Sequence, residues 1–181
     1  ANKLEAADAT MQEALNKVTK KEEAHAAYAR IIYQKQAVAP DTTFKAWTFD
    51  KALAEARAAY AITPQPIYQH IEGQILYAQS NYAAAYNIFM ALTKTSMRNG
   101  DLFYSAAQCR AHQQAPHEEI MALLDSAIVA SPQPLNGIGA PYLLARGTEY
   151  FNAKEYRKAV NDFNQYDSIM SGRPISSEFY Y

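Results

Sequence analysis

The feature that most limits how this chain can fold is a spacing of five residues that occurs twice. Gly73, Tyr77, Tyr82, Ala85 and Phe89 lie at offsets 0, 4, 9, 12 and 16, and Gly147, Phe151, Tyr156, Ala159 and Phe163 repeat those offsets. The four-residue steps at either end place side chains one helical turn apart, so each set describes one helical hairpin. A second self-match supports this. The stretch Ala61–Pro66, AITPQP, returns 68 residues later as Val129–Pro134, VASPQP. Both segments end on proline, which cannot donate the next helical backbone bond. Such a chain stacks copies of one small unit.

Helical periodicity runs through almost all of the sequence, while β-branched alternation is nearly absent. The expected class is all-α. Leu4, Ala7, Met11, Ala14, Leu15 and Val18 form one face of a first helix. Thr19 and Glu22 have the spacing of a capping box, which starts a second helix near Lys20 that stops before Pro40. Further helices are expected over Thr43–Ile62, Pro66–Gln79, Tyr82–Lys94, Asp101–Gln113, Pro116–Ala130, Pro141–Asn152 and Glu155–Ile169, with another beginning at Ser177. Ser80-Asn81, Gln114-Ala115 and Ala153-Lys154 are turns short enough to force antiparallel neighbours. Ser80 suits an N-cap, Pro116 a first helical position and Asn99-Gly100 a helix stop.

The 68-residue separation is two periods of 34, the length of the tetratricopeptide unit, and the glycine, alanine and phenylalanine spacings match that unit's pattern. The chain resembles the tetratricopeptide repeat family over residues 22–172. The resemblance implies a right-handed α-solenoid of antiparallel helix-turn-helix repeats with about nine or ten helices. Its expected organisation is an N-terminal helix over 1–19, a divergent first repeat over 20–64, repeats over 65–99, 100–134 and 135–172, and the start of a further helix over 173–181. The pattern is not complete. Gln69 and Leu143 stand where tryptophan is usual, Leu76 replaces the tyrosine that Tyr150 supplies, and Gln108 stands at the glycine position of the middle repeat, with Ile120 and Leu124 for its alanine and phenylalanine. Gly73 and Gly147 are expected where paired helices approach, Tyr82 and Tyr156 over the turn, and Phe89 and Phe163 against the next repeat.

Composition narrows the function. A formal net charge of −1 gives no field for gathering phosphates, which argues against nucleic acid and anionic membrane surfaces. Cys109 is the only cysteine, so neither an internal disulfide nor a cysteine-based zinc site can form. No run approaches the roughly 18 apolar residues of a membrane span. His25, His70, His112 and His117 lie on different segments without the four-residue spacing of a metal pair, and no nucleophile, base and charge stabiliser fall into a readable set. Neither an enzyme nor a cofactor or metal site is expected. The chain starts at Ala1 rather than Met, which points to a processed form, and an exported bacterial envelope protein is favoured over a cytoplasmic one.

In the family the first helix of each repeat lines a groove that holds an extended peptide or a partner helix. Carried across, the groove positions are Ile67, His70, Gln74 and Tyr77, then Leu102, Ser105, Cys109 and His112, then Leu144, Thr148, Phe151 and Asn152. They are neutral and partly aromatic. The lysine-rich clamp that grips chaperone carboxylates is absent from His70, Ser105 and Leu144. The expectation is a non-catalytic adaptor for a protein or peptide, with Tyr77 and Phe151 as anchors. A structural spacer or oligomerisation region of a larger protein is the alternative.

Overall fold

The structure is a computed structural model that describes residues 3–38 and 44–171. Among these residues are nine helices and no strand, so the expected all-α class holds. They are α1 (Lys3–Lys17), α2 (Lys21–Val38), α3 (Phe49–Ile62), α4 (Pro66–Ala78), α5 (Tyr82–Leu92), α6 (Gly100–His112), α7 (His117–Val129), α8 (Ala140–Asn152) and α9 (Tyr156–Met170). The expected helix from Ser177 and the stretch Ala39–Thr43 lie outside the described residues. The chain divides into two compact units, with the boundary between Ile88 and Phe89, inside α5.

In the first unit α3 packs against both α2 and α4. Ala52, Ala56 and Ala59 supply its fully buried face, and their small side chains leave room for Tyr28 and Ile32 of α2 and Ile71 and Ile75 of α4. Helix α3 starts at Phe49 and not at Thr43. Residues Phe44–Thr48 are spent on burying Trp47, and the Thr48 hydroxyl accepts the Lys51 N–H at 3.1 Å as the N-cap. No residue of α1 is fully buried. Its Asp8 carboxylate accepts from the Tyr28 hydroxyl and, at 2.7 Å, from Trp47 Nε1. Burial first, then this bond, raises the Tyr28 hydroxyl above its ordinary pKa, so it stays a donor. The buried Glu55 carboxylate meets His25 Nδ1 at 2.5 Å and Lys51 Nζ at 2.6 Å.

In the second unit α6 packs on α7, α7 on α8 and α8 on α9. A Cβ placed on Gly147 would lie 2.6 and 2.8 Å from ring carbons of Phe163 and 3.3 Å from Asp162 Cβ. The expected close approach of α8 and α9 is therefore present, and the Phe163 ring lies against Gly147 of its own hairpin. The segment expected to follow it, 173–181, lies outside the described residues. Gly100 is the second tight place: a Cβ there would meet the Ala127 carbonyl oxygen at 2.5 Å and Tyr142 Cε2 at 2.9 Å. Asn99-Gly100 is thus a helix start and not a stop, with the Asn99 side chain accepting from the Leu102 N–H at 3.1 Å.

One polar group pins this unit internally. Arg146 of α8 donates from Nε and Nη2 to the two oxygens of Asp162 on α9, both at 2.8 Å, and from Nη1 to Asp125 of α7 at 2.8 Å. Asp162 is buried at 1% exposure, and its bonds to Arg146 raise the guanidinium pKa still further. A buried carboxylate held bidentately by arginine has its desolvation offset by directed bonds.

Candidate interaction surface

The register of each first helix is set by the turn that ends it. Ser80, Gln114 and Lys154 all sit in the left-handed region, with φ of 60°, 56° and 63°. Around each, the same two backbone bonds recur. Ser80 N–H donates to Tyr77 O and Asn81 N–H to Leu76 O; Gln114 to Ala111 and Ala115 to Arg110; Lys154 to Phe151 and Glu155 to Tyr150. This is the Schellman arrangement, with the left-handed position filled by residues other than glycine. Ser80 therefore stops α4, and Asn81 takes the cap position of α5, accepting from Ala85 N–H at 3.0 Å. Pro116 likewise sits one place before α7, as its cap.

These turns correct the middle repeat. Seven residues before Ser80 and Lys154 stand Gly73 and Gly147, while seven before Gln114 stands Ala107, not Gln108. On the far side, Ala85 and Ala159 come five residues after the turn residue, but Ile120 comes six after Gln114. The α6–α7 turn carries one extra residue. Counting back from Ile120 rotates the inferred face of α6 by about 100°, the angle of one helical residue. Leu102 and Cys109 consequently lie in the core at 1% and 0% exposure and line no surface. The positions equivalent to the α8 row are Tyr104, Gln108, Ala111 and His112, all of which keep some exposure. Burial pushes the Cys109 thiol up to about 12.

The other expected positions are distributed as follows. In the first unit Ile67 packs against the core, and His70, Gln74 and Tyr77 are half-buried. Ser105 is half-buried and His112 exposed. On α8, Leu144, Thr148, Phe151 and Asn152 are all exposed and share one face, with Leu144 at 41% and Phe151 at 43%. Two aromatic pairs sit at matching places. Tyr77 meets Tyr82 edge-on at 5.4 Å between centroids, and Phe151 meets Tyr156 edge-on at 5.5 Å. Each joins the end of a first helix to the start of the second across the turn, as the sequence pattern predicts. The pairing restrains the Phe151 ring while leaving it wet.

Electrostatics give this surface little charge of its own. Asp101 accepts the Tyr142 hydroxyl at 2.6 Å, and Tyr104 lies 5.1 Å from the Tyr142 ring. Burial raises the Tyr104 hydroxyl pKa, and burial followed by the Asp101 bond raises that of Tyr142. The Glu119 carboxylate is held below its ordinary pKa by two bonds from Arg110, at 2.7 and 2.6 Å, and His117 Nδ1 lies 3.1 Å from Glu149. These pairs tie helices together and leave uncharged groups on the α8 stripe. Among the described residues no three His, Cys, Asp or Glu side chains gather as metal ligands, and no helix is long and apolar enough to cross a membrane.

One feature lies away from all of the expected positions. A cleft of about 450 Å³ opens in the second unit between α9 and the loop after α7. None of the expected groove residues lines it. Its α9 wall is a row of amide and hydroxyl side chains at helical spacing, a pattern that could have been found in the sequence.

Comparison with known proteins bears on the fold. No protein-family model and no curated protein matches the sequence. Solved structures do. YrrB, a TPR protein with an unusual peptide-binding site, superposes with a TM-score of 0.65 at 15% identity, over 90% of this chain and 76% of its own. MamA superposes with a TM-score of 0.65 at 12% identity, over 86% of this chain and 82% of its own. MamA 41-end from Desulfovibrio magneticus RS-1 gives 0.59 at 12% identity, over 96% and 98%. With the three like turns and the Gly147–Phe163 contact, these likenesses establish that the chain has the tetratricopeptide repeat fold.

Proposed function

We propose that this chain is a non-catalytic interaction scaffold that binds a protein or peptide on the exposed stripe of α8 and the equivalent row of α6. The observation that carries the reading is the pair Leu144 and Phe151, two large apolar side chains two turns apart on one face of α8 and each more than two-fifths exposed. Water around such side chains is released when a partner covers them, at roughly 25 cal/mol per Å² of apolar surface. Phe151 is already restrained by Tyr156, so less side-chain freedom is lost on binding. Thr148 and Gln108 add neutral hydrogen-bonding groups, which favours an uncharged ligand surface over a phosphate or an acidic tail.

The test uses the full chain and a Leu144→Ala/Phe151→Ala variant as affinity baits, with quantitative comparison of what each retains. Both positions are exposed, so circular dichroism and the melting curve should be unchanged. Partners lost at least tenfold from the variant support the reading, since buried aromatic anchors typically carry 1–2 kcal/mol or more each, by order of magnitude. Equal retention by a folded variant rejects it.

A further inference from the structure

We propose that the cleft beside α9 is a second binding site, which takes an extended, uncharged stretch of a partner polypeptide through its backbone amides. Asn161, Asn164, Gln165 and Ser168 form its α9 wall at spacings of three and four residues. Among the described residues none of these four side chains has a hydrogen-bond partner. Each pair four residues apart rises about 6 Å along the helix. An extended chain presents like-facing N–H and C=O groups every two residues, about 6.6 Å. Asn161 with Gln165, and Asn164 with Ser168, therefore match that repeat. A carboxamide both donates and accepts, as a peptide group does. Ile128, Leu135 and Ile169 provide apolar surface for the alternate side chains.

Charge selects among ligand classes. Among the described residues Arg146 is the cleft's only cation, and Asp162 and Asp125 already satisfy it. A phosphate or nucleic-acid strand would find no free positive group among those lining residues. Among the described residues no aromatic ring lines the cleft, so a sugar lacks a stacking surface there. The wall also departs from an ordinary solvated helix face. Asn and Ser hold helices less well than Lys, Glu or Ala, because they compete for backbone bonds. Arg146 sits on the face of α8 opposite Leu144 and Phe151, so this site is separate from the α8 stripe and goes beyond the function proposed above.

The experiment pans a phage-displayed library of random nine-residue peptides against the full chain and measures the enriched peptides by fluorescence anisotropy. The expected result is at least one peptide whose binding weakens tenfold or more with Asn161→Ala/Gln165→Ala, and again when alternate peptide amides are N-methylated, but not with Leu144→Ala/Phe151→Ala. The α9 substitutions are exposed, and circular dichroism checks that the chain stays folded. No enrichment, or peptides indifferent to the α9 pair, overturns the proposal. Peptides that depend only on Leu144 and Phe151 overturn it too, while supporting the α8 reading. A photo-crosslinker at position 164 that captures residues 172–181 of the same chain overturns it in favour of self-occupancy.

Discussion

Adding one methyl group at Gly147 tests the central contact of the second unit. Two opposing effects set the size of the change. Alanine is the better helix former by about 1 kcal/mol. Against that, its Cβ would lie 2.6 and 2.8 Å from Phe163 ring carbons, about 1 Å inside ordinary carbon contact. Helix α9 has little freedom to retreat. Asp162 Cβ is only 3.3 Å away, and both Asp162 oxygens are bonded to Arg146. Overpacking of this type costs about 1–3 kcal/mol, and a pinned facing helix puts this site toward the upper end. The net expectation for Gly147→Ala is a loss of about 2 kcal/mol, which at a urea slope of about 2 kcal/mol/M lowers the unfolding midpoint by about 1 M. A double-mutant cycle with Phe163→Leu isolates the contact: the cost of Gly147→Ala should fall by about 1 kcal/mol when the ring is gone. A midpoint that stays put or rises in the wild-type background would refute the close packing of α8 on α9.

Three further outcomes are expected. Lys154→Gly, at a left-handed turn residue, should stabilise the second unit by about 0.5–1 kcal/mol in urea melts, because the Cβ penalty there exceeds glycine's added unfolded-state entropy. Asp8→Ala removes the acceptor shared by Tyr28 and Trp47, so the amides of α1 should exchange faster and Trp47 emission should shift to the red. Cys109 should resist iodoacetamide at pH 8 until the chain unfolds, since the thiol titrates near 12 instead of 9. The folded pKa is raised, so its stabilising share is whole below pH 9 and declines as pH rises toward 12. Cys109→Val should flatten that decline in a stability-versus-pH series.

Repeated spacing made the hairpins legible because it reports local physics. Gly147, Phe151, Tyr156 and Phe163 lie where helix geometry and a short turn must put them, and the structure finds the close approach and the aromatic bridge at those positions. The Pro-Gln-Pro repeat was only half informative. Pro66 opens α4 directly, whereas Pro134 is followed by a loop that runs to Gly139 before α8 begins. Both carry the same local instruction to end a helix, and neither says what comes after.

What the amino acids determined unaided was the helical class, the hairpin and its neutral exposed faces, since these follow from periodicity and side-chain chemistry. What only the tertiary structure decided was rotational register. One extra residue between α6 and α7 turned Leu102 and Cys109 from expected surface into core, because a helix converts a count of one into about a quarter of a circle. The cleft beside α9 belongs to the same class of fact: Asn161 and Gln165 come together with Leu135 and Arg146 only after the chain has packed, and no spacing along one helix specifies which loop will face it.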